Sequence, residues 1–292
     1  MPIVGANFST EIRCLPGDLE SCGDGGRAVD ARLSYPKGLA ISADRKIYFA
    51  DGTDIRVIDE FGVIYTLIGS QARQGPWKPL SCHGTVNLQD VTLRWPTDLA
   101  INPLDNTLHF VDDNIIMKLT VDDRLQIVAG RPLHCRRSDE TDDHYMNFAA
   151  QTILVSPQAI AFSAQGDMYL AESDSRRVNR VSVVSTDGRI HHYAGKDSKC
   201  NCQDKECPCF NSNVLLATDA IFASISAISV APDGTFFISD QANLIKSVEY
   251  ISLPRTFSEV AEIEVVVLRA MAQGAGWLSI PLLLLLMTMA VM

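Results

Sequence analysis

Hydrophobic residues occur along this chain in short runs, and the same succession of runs is repeated four times. Each copy opens on an apolar strand, passes through a turn with Asp, Asn or Gly into a second apolar strand that ends in an acid, and continues into a third strand with alternating apolar residues. In the first three copies a fourth strand ends in glycine. The opening strands cover residues 33–41, 93–101, 154–162 and 222–230. About four short strands per copy, separated by turn residues, are typical of a propeller blade.

The spacing of the copies is nearly constant. Pro36 and Pro96 are 60 residues apart, and Pro96 and Pro157 are 61 apart. The acids Asp51 and Asp112, which end second strands, are also 61 apart. A helical solenoid would show a period of about 3.6 residues instead. The shared period therefore predicts an all-β propeller, in which each blade of roughly 40 residues is followed by a connecting loop.

The repeat divides the chain into four parts. We expect a cysteine-containing lead-in at residues 1–23, four blades within 24–250, a divergent linker at 251–269 and a hydrophobic tail at 270–292. The blades are expected at about 24–70, 88–131, 149–196 and 217–250. The longer step to the fourth blade follows from a cysteine-rich insertion at 200–209.

The charge of the chain argues against a nucleic-acid partner. The formal net charge is −10 and the pI is near 5.0. Binding to nucleic acid needs clustered Lys and Arg that displace counterions from phosphate, and the sequence contains no such run. An RNA-binding propeller is disfavoured for the same reason.

Cysteine usage indicates an oxidising compartment. An even number of cysteines, mostly in predicted loops, is typical of disulfides, although free or metal-binding thiols are the alternative. Eight cysteines permit 105 connectivities, of which we favour Cys14–Cys22, Cys82–Cys135 and the nested pairs Cys200–Cys209 and Cys202–Cys207. Asn7 lies in an Asn-Phe-Ser triplet and is a candidate N-glycosylation site, in agreement with export.

The two ends of the sequence raise the question of export and anchoring. Residues 1–7 have neither the basic nor the apolar region of a signal peptide, so we expect a piece of a longer secreted or membrane protein. Residues 270–292 carry no charged residue and are long enough to span a bilayer. This tail has three interpretations: a membrane anchor, a lipid-anchor signal, or unrelated sequence joined to the propeller by a gene-model artefact, which we favour.

Two groups of residues are candidates for metal chemistry. The recurring acids could ring a channel and bind a cation, but local hydrogen bonds to backbone N–H groups explain their recurrence better. These acids are Asp51, Asp112, Glu172 and Asp240. A zinc site needs three or four converging ligands, and His191 and His192 are neighbours whose side chains point to opposite faces of a strand.

The remaining histidines and motifs do not indicate catalysis. His83 and His134 neighbour cysteines in loops, and no nucleophile elbow, P-loop or HExxH motif is present. The paired Cys-x-Cys motifs at 200–209 match zinc-ribbon spacing only loosely. We therefore expect no catalytic residue, no metal and no cofactor.

Four stretches carry a family resemblance. The blade pattern resembles the NHL repeat, and the stretches 22–31, 95–108 and 127–135 are similar to the teneurin NHL domain. The cysteine cluster 200–209, followed by 217–220, is also similar to that family. The resemblance implies a six-bladed extracellular propeller, of which four blades are visible here. It also implies a part of a neuronal type II transmembrane adhesion receptor, with homophilic contacts and latrophilin-type receptors as partners.

From these observations we expect a protein-binding propeller on the extracellular side of the plasma membrane, connected to the membrane through a parent receptor or through its own tail. Deleting the loop between Gly195 and Ala217 is predicted to weaken cell–cell adhesion. The alternative is a metal-dependent propeller enzyme similar to the peptidyl-amidating lyases.

Overall fold

The computed structural model describes residues 3–5, 22–69, 80–82, 84–135, 148–174, 178–195, 216–240, 244–250 and 263–268. These residues form four antiparallel sheets. In three of the four sheets, consecutive strands follow one another in space, as the hairpin-rich pattern of the sequence predicts.

The sheets correspond to the four copies of the repeat, and we number them as blades in chain order. Blade 1 contains β1 Pro36–Ile41, β2 Ile47–Asp51, β3 Asp54–Ile58 and β4 Ile64–Ile68. Blade 2 contains β5 Thr85–Asn87, β6 Pro96–Ile101, β7 Leu108–Asp112, β8 Ile115–Leu119 and β9 Arg124–Ala129. Blade 3 contains β10 Pro157–Phe162, β11 Met168–Asp174, β12 Val178–Val184 and β13 Ile190–Ala194. Blade 4 contains β14 Ile225–Val230, β15 Phe236–Asp240, β16 Leu244–Tyr250 and β17 Ile263–Leu268.

Two of these strands differ from the sequence analysis. β17 lies within residues 251–269, which we expected to form a linker, and it pairs with β16 as the outer strand of blade 4. Its run Ile-Glu-Val-Val-Val-Leu is rich in β-branched residues, which favour a strand. β5 pairs with β9 and gives blade 2 a fifth strand.

The hydrophobic core lies between successive blades. Strands β1, β6, β10 and β14 are neighbours in that order, so the sheets pack face to face around a common axis. Ile55 and Ile68 of blade 1 pack with Leu108 and Phe110 of blade 2 in one cluster. Corresponding clusters join blade 2 to blade 3 and blade 3 to blade 4.

The outer edge of each of the first three blades is covered by the residues that lead into that same blade. In blade 1, Gly25 N–H donates to Ile64 O at 2.8 Å, and Ile64 N–H donates to Gly26 O at 3.1 Å. In blade 2 this role belongs to β5, and in blade 3 Phe148 forms an isolated bridge with Arg189. A 3-10 turn then follows each of these lead-ins before the first strand begins.

Two of the junctions between successive blades are closed by a glycine. Gly130 N–H, at the end of β9, donates to Ala149 O in the turn that leads into blade 3, at 2.9 Å. Gly195 makes the same bond to Ala217 O at 2.8 Å. Gly5 N–H donates to Ala28 O at 3.1 Å. The segment around Gly5 therefore contacts the turn before blade 1 in the same way that the ends of β9 and β13 contact the turns before blades 3 and 4.

Candidate recognition surface

The recurring acids hold the loops that enter the first strands. We call these rim loops, at residues 34–35, 94–95, 155–156 and 223–224. Asp51 Oδ1 accepts hydrogen bonds from the N–H groups of Ser34 and Tyr35, both at 2.7 Å. Asp112 accepts from Arg94 and Trp95, with the shortest bond at 2.7 Å.

The other two blades repeat this arrangement. Glu172 accepts from Val155 N–H at 2.6 Å, and Asp240 accepts from Ala223 and Ser224 at 3.0 and 2.9 Å. All four acids are at most 3% exposed. The expected hydrogen bonding to backbone N–H groups is present, but it is not local: each acid reaches across the first hairpin to residues 16 to 18 positions earlier. The acids therefore act as architectural acceptors.

Burial raises the pKa of two of these acids, Asp51 and Asp112. Desolvation raises the pKa of Asp112 to about 6, against the lowering effect of the N–H groups of Trp95 and Arg94. The pKa of Asp51 is also raised by desolvation, while the same kind of hydrogen bonds and Arg56 oppose the rise. A buried carboxylate is destabilised when its hydrogen bonds do not fully replace its hydration. The rim loops of blades 1 and 2 are therefore held by acids whose charged form is disfavoured by burial.

Two aromatic side chains project from the rim loops of blades 1 and 2. Tyr35 is 51% exposed and Trp95 is 46% exposed, and their ring centroids are 6.5 Å apart. The ammonium group of Lys37 lies 4.1 Å from the centre of the Trp95 ring, a cation–π distance. Blades 3 and 4 carry Ser156 and Ser224 at these positions, so the aromatic pair is confined to one part of the rim.

The loops that connect blade 1 to blade 2 and blade 2 to blade 3 are joined covalently. Cys82 and Cys135 form a disulfide with a Cα–Cα distance of 5.5 Å. His134 Nε2 donates to Leu80 O at 2.8 Å, and the Arg131 guanidinium donates to Cys135 O at 2.7 Å. We call residues 80–82, 84 and 131–135 the connector surface.

The connector surface also holds a metal-like grouping. Ligand atoms of Cys82, His134 and Cys135 lie within 4.8 Å of one another. Both sulfurs are bonded to each other, however, and a metal requires thiolates. In its oxidised form this group is a structural cross-link.

The structure places three other histidines outside the connector surface, one on β7 and two on β13. His109 on β7 is 5% exposed and stacks edge to face on Phe162 with centroids 4.8 Å apart. Desolvation lowers the pKa of His109 to about 4, so it is neutral at physiological pH. His191 and His192 are both exposed on β13. His83 and His144 lie outside the described residues.

Several predicted site residues cannot be placed. Cys22 is disulfide-bonded, but Cys14 lies outside the described residues, so that pairing stays a prediction. The cluster Cys200, Cys202, Cys207 and Cys209, the candidate glycosylation site Asn7 and the tail at 270–292 also lie outside them. Within the part of the chain that the structure describes, no helix is long and apolar enough to cross a membrane.

The sequence analysis missed a buried ion pair in blade 1. Arg56 on β3 is 1% exposed and its guanidinium lies 2.6 Å from Asp24 Oδ1. Asp24 Oδ2 accepts from Thr66 N–H at 2.6 Å, so this one acid ties the lead-in to both β3 and β4. The available signal was the aspartate of the Cys-Gly-Asp-Gly-Gly stretch at 22–26, together with an arginine inside an otherwise apolar strand.

Comparisons with known proteins agree on one family. A family model described as the teneurin NHL domain matches residues 3–249. Teneurin-m of Drosophila melanogaster is 52% identical over 231 residues, which cover 79% of this chain and 8% of that protein. Teneurin-1 of Homo sapiens is 42% identical over 238 residues, which cover 80% of this chain and 9% of that protein. The chain therefore spans less than a tenth of the length of these relatives.

Solved structures add a weaker similarity. A protein of unknown function from Bacteroides thetaiotaomicron aligns with a TM-score of 0.46 at 14% identity, over 70% of this chain and 44% of that one. At this TM-score we draw neither fold nor function from it.

Proposed function

The chain belongs to the teneurin family, whose NHL domain it matches, and on that basis we propose that it serves as a protein-recognition module on the outer side of the plasma membrane. We propose that its partners are cell-surface proteins, either a second teneurin or a latrophilin-like receptor. The parent receptor, or the tail at 270–292, would supply the connection to the membrane. We propose no catalytic role.

The observation that carries this proposal is the connector surface. Two loops that leave successive blades are joined by a disulfide, a histidine–carbonyl bond and an arginine–carbonyl bond. Cross-linked loops lose little conformational entropy when a partner binds. Leu133, in the turn that precedes His134, is 79% exposed and gives this surface an apolar side chain that a partner can remove from water.

A rigid scaffold beneath the loops supports the same proposal. Binding residues are commonly found on loops that a rigid framework positions. Here the connectors extend from sheets whose inter-blade clusters are fully buried, and the rim loops are fixed by buried acids. The family resemblance supplies the class of partner, and the geometry supplies a surface that is fixed in advance.

A cell-aggregation assay tests the proposal. We expect Leu133→Asp in the connector surface to reduce the aggregation of cells that display the protein, because a charge at the contact must be desolvated without a partner. Val121→Asp is the matched control, since Val121 is 95% exposed on a turn of the same blade. Equal aggregation by both variants and the parent, at equal surface levels, would contradict the proposal.

A further inference from the structure

One junction between blades departs from the rest. At the junctions between blades 2 and 3 and between blades 3 and 4, the glycine that ends the fourth strand donates to the 3-10 turn of the next blade. Gly5 makes the same bond to the turn before blade 1, and all three glycines have φ between 84° and 95°. The corresponding glycine after β4 is Gly69, and the corresponding turn begins at Leu88. Gly69 has a φ of 135°, and no such hydrogen bond joins it to Leu88. This junction is therefore more open than the other two, although blades 1 and 2 still share one buried cluster.

A cleft of about 510 Å³ occupies this opening. Its volume falls within the range of roughly 300–1,000 Å³ that is usual for small-molecule sites. One wall comes from the end of β4, at Thr66, Leu67 and Gly69, and the other from the lead-in and a turn of blade 2.

The polar lining of the cleft is rich in neutral and acidic groups. Thr66 contributes a hydroxyl, Asn87 and Gln89 contribute carboxamides, and Asp90 and Asp123 contribute carboxylates. Leu67 and Leu88 add apolar surface. The lining residues include no lysine and no arginine. This mixture offers both acceptors and donors beside a small apolar patch.

The wall in blade 2 is fixed before any ligand arrives. The guanidinium of Arg124 donates to Asn87 Oδ1 at 3.0 Å, and it also holds Thr85 Oγ1 at 2.6 Å and Thr85 O at 2.9 Å. Asn87 Nδ2 in turn donates to Asp90 Oδ2 at 3.3 Å. The orientation of the Asn87 carboxamide is therefore set by its neighbours. Prepositioned polar groups of this kind give a site its specificity.

Asp123 occupies a backbone position where other blades use glycine. Gly62 and Gly188 close the equivalent turns of blades 1 and 3 through the same backbone bond, with φ of 78° and 83°. Asp123 has a φ of 54°, in the left-handed region that aspartate tolerates better than most residues with a side chain. This turn of blade 2 thus places a carboxylate in the cleft, where the equivalent turns of blades 1 and 3 have no side chain.

We propose that this cleft binds a carbohydrate, through the hydroxyl groups of one or two sugar rings. Sugar hydroxyls donate to carboxylates such as Asp123 and accept from carboxamides such as Gln89, while the C–H face of a ring packs on the leucines. A cation is a poorer fit, because Asp90 already accepts from Asn87 and the Arg124 guanidinium lies behind that wall.

Saturation-transfer NMR on the full chain tests the proposal, with the methyl glycosides of glucose, mannose and galactose and with N-acetylglucosamine as probes. We expect at least one probe to bind, and Asp123→Gly to weaken that binding roughly tenfold or more, because a charge-assisted hydrogen bond is lost. Asp123→Gly places glycine where blades 1 and 3 already have it, so the fold should be kept, and thermal unfolding checks this.

The matched control is Asp113→Gly. Asp113 is also an aspartate at positive φ in blade 2, where blade 1 has Gly52, but it lies outside the cleft and pairs with Arg94. Asp113→Gly should bind the probe as the parent does. The proposal is overturned if no probe binds, if Asp123→Gly binds as tightly as the parent, or if methylammonium displaces the bound glycoside.

Discussion

Neutralising Asp24 should destabilise blade 1 strongly, because it leaves the guanidinium of Arg56 charged in the core. Asp24→Asn keeps an oxygen for the N–H of Thr66, which lies 2.6 Å from Asp24 Oδ2. It removes the negative charge beside a side chain that is only 1% exposed. The nearest remaining anion is then Asp51, whose Oδ2 is 3.7 Å from the Arg56 guanidinium.

The magnitude follows from the burial of the pair. Breaking a buried ion pair by removing one partner costs about 3–5 kcal/mol, because the other charge stays in the low-dielectric interior. Arg56 retains hydrogen bonds to Arg32 O at 2.8 Å and Cys22 O at 3.2 Å, which favours the lower end of that range. We therefore expect a loss of about 3 kcal/mol for Asp24→Asn.

Blade 2 shows what an apolar replacement looks like. Arg56 on β3 pairs with Phe49 on the neighbouring strand, and Met117 on β8 pairs with Phe110 in the equivalent position of blade 2. Met117 is fully buried. Arg56→Met added to Asp24→Asn should therefore recover part of the loss. We expect the two changes to be non-additive by about 2 kcal/mol.

Urea unfolding of the parent, both single variants and the double variant measures this coupling. The pair Arg94–Asp113 is the control, since its side chains are 60% and 47% exposed and a solvated pair should couple by only about 1 kcal/mol or less. If the losses from Asp24→Asn and Arg56→Met simply add in the double variant, the reasoning is refuted.

Three further predictions concern single sites. Protonation of His109 should destabilise the fold as pH falls from about 6.5 to 4, because its folded-state pKa of about 4 lies below the unfolded value. His109→Phe, which introduces the residue that blade 4 has at Phe237, should remove this contribution, and melting temperatures at pH 5 and 7.5 check it. Desolvation raises the pKa of Asp98 to about 7, so its contribution to stability is lost as pH rises from about 3.9 to 7, and Asp98→Asn should stabilise the protein at pH 8 but not at pH 4 in urea titrations. Replacing Cys82 and Cys135 together by serine opens a cross-link between positions 53 residues apart and should cost up to about 4 kcal/mol in urea unfolding.

The repeat pattern was sufficient to predict the sheets but not every strand. The four opening strands and the strands that pair with them could be predicted from the alternation of apolar residues and from the repeat of about 60 residues. Each of these strands forms a hairpin with a neighbour that is close in sequence. β5 was missed because three residues, Thr85–Asn87, are too few to show a period, and their partner β9 begins 37 residues after β5 ends. Pairing between strands that far apart depends on the path of the intervening chain, and the pattern of apolar residues carries no information about that path.

The candidate sites were predictable to different degrees. The regular recurrence of Asp51 and its counterparts indicated an architectural role. Their hydrogen-bond partners could not be predicted, because the strand register shifts at the start of each first strand and the sequence does not show this shift. The cleft between blades 1 and 2 had no sequence signal at all. Gly69 and Gly130 look alike in sequence, and they differ only in backbone angle, which depends on the packing of whole blades.

The way each lead-in covers its own blade has a consequence for synthesis. An uncovered outer strand offers free N–H and C=O groups to any other strand, and this is a common route to aggregation. The residues that cover β4 and β9 precede those strands in the chain, so they have already left the ribosome when the outer strand emerges. Each of these blades can therefore close its exposed side as soon as it is made, without waiting for a later part of the protein.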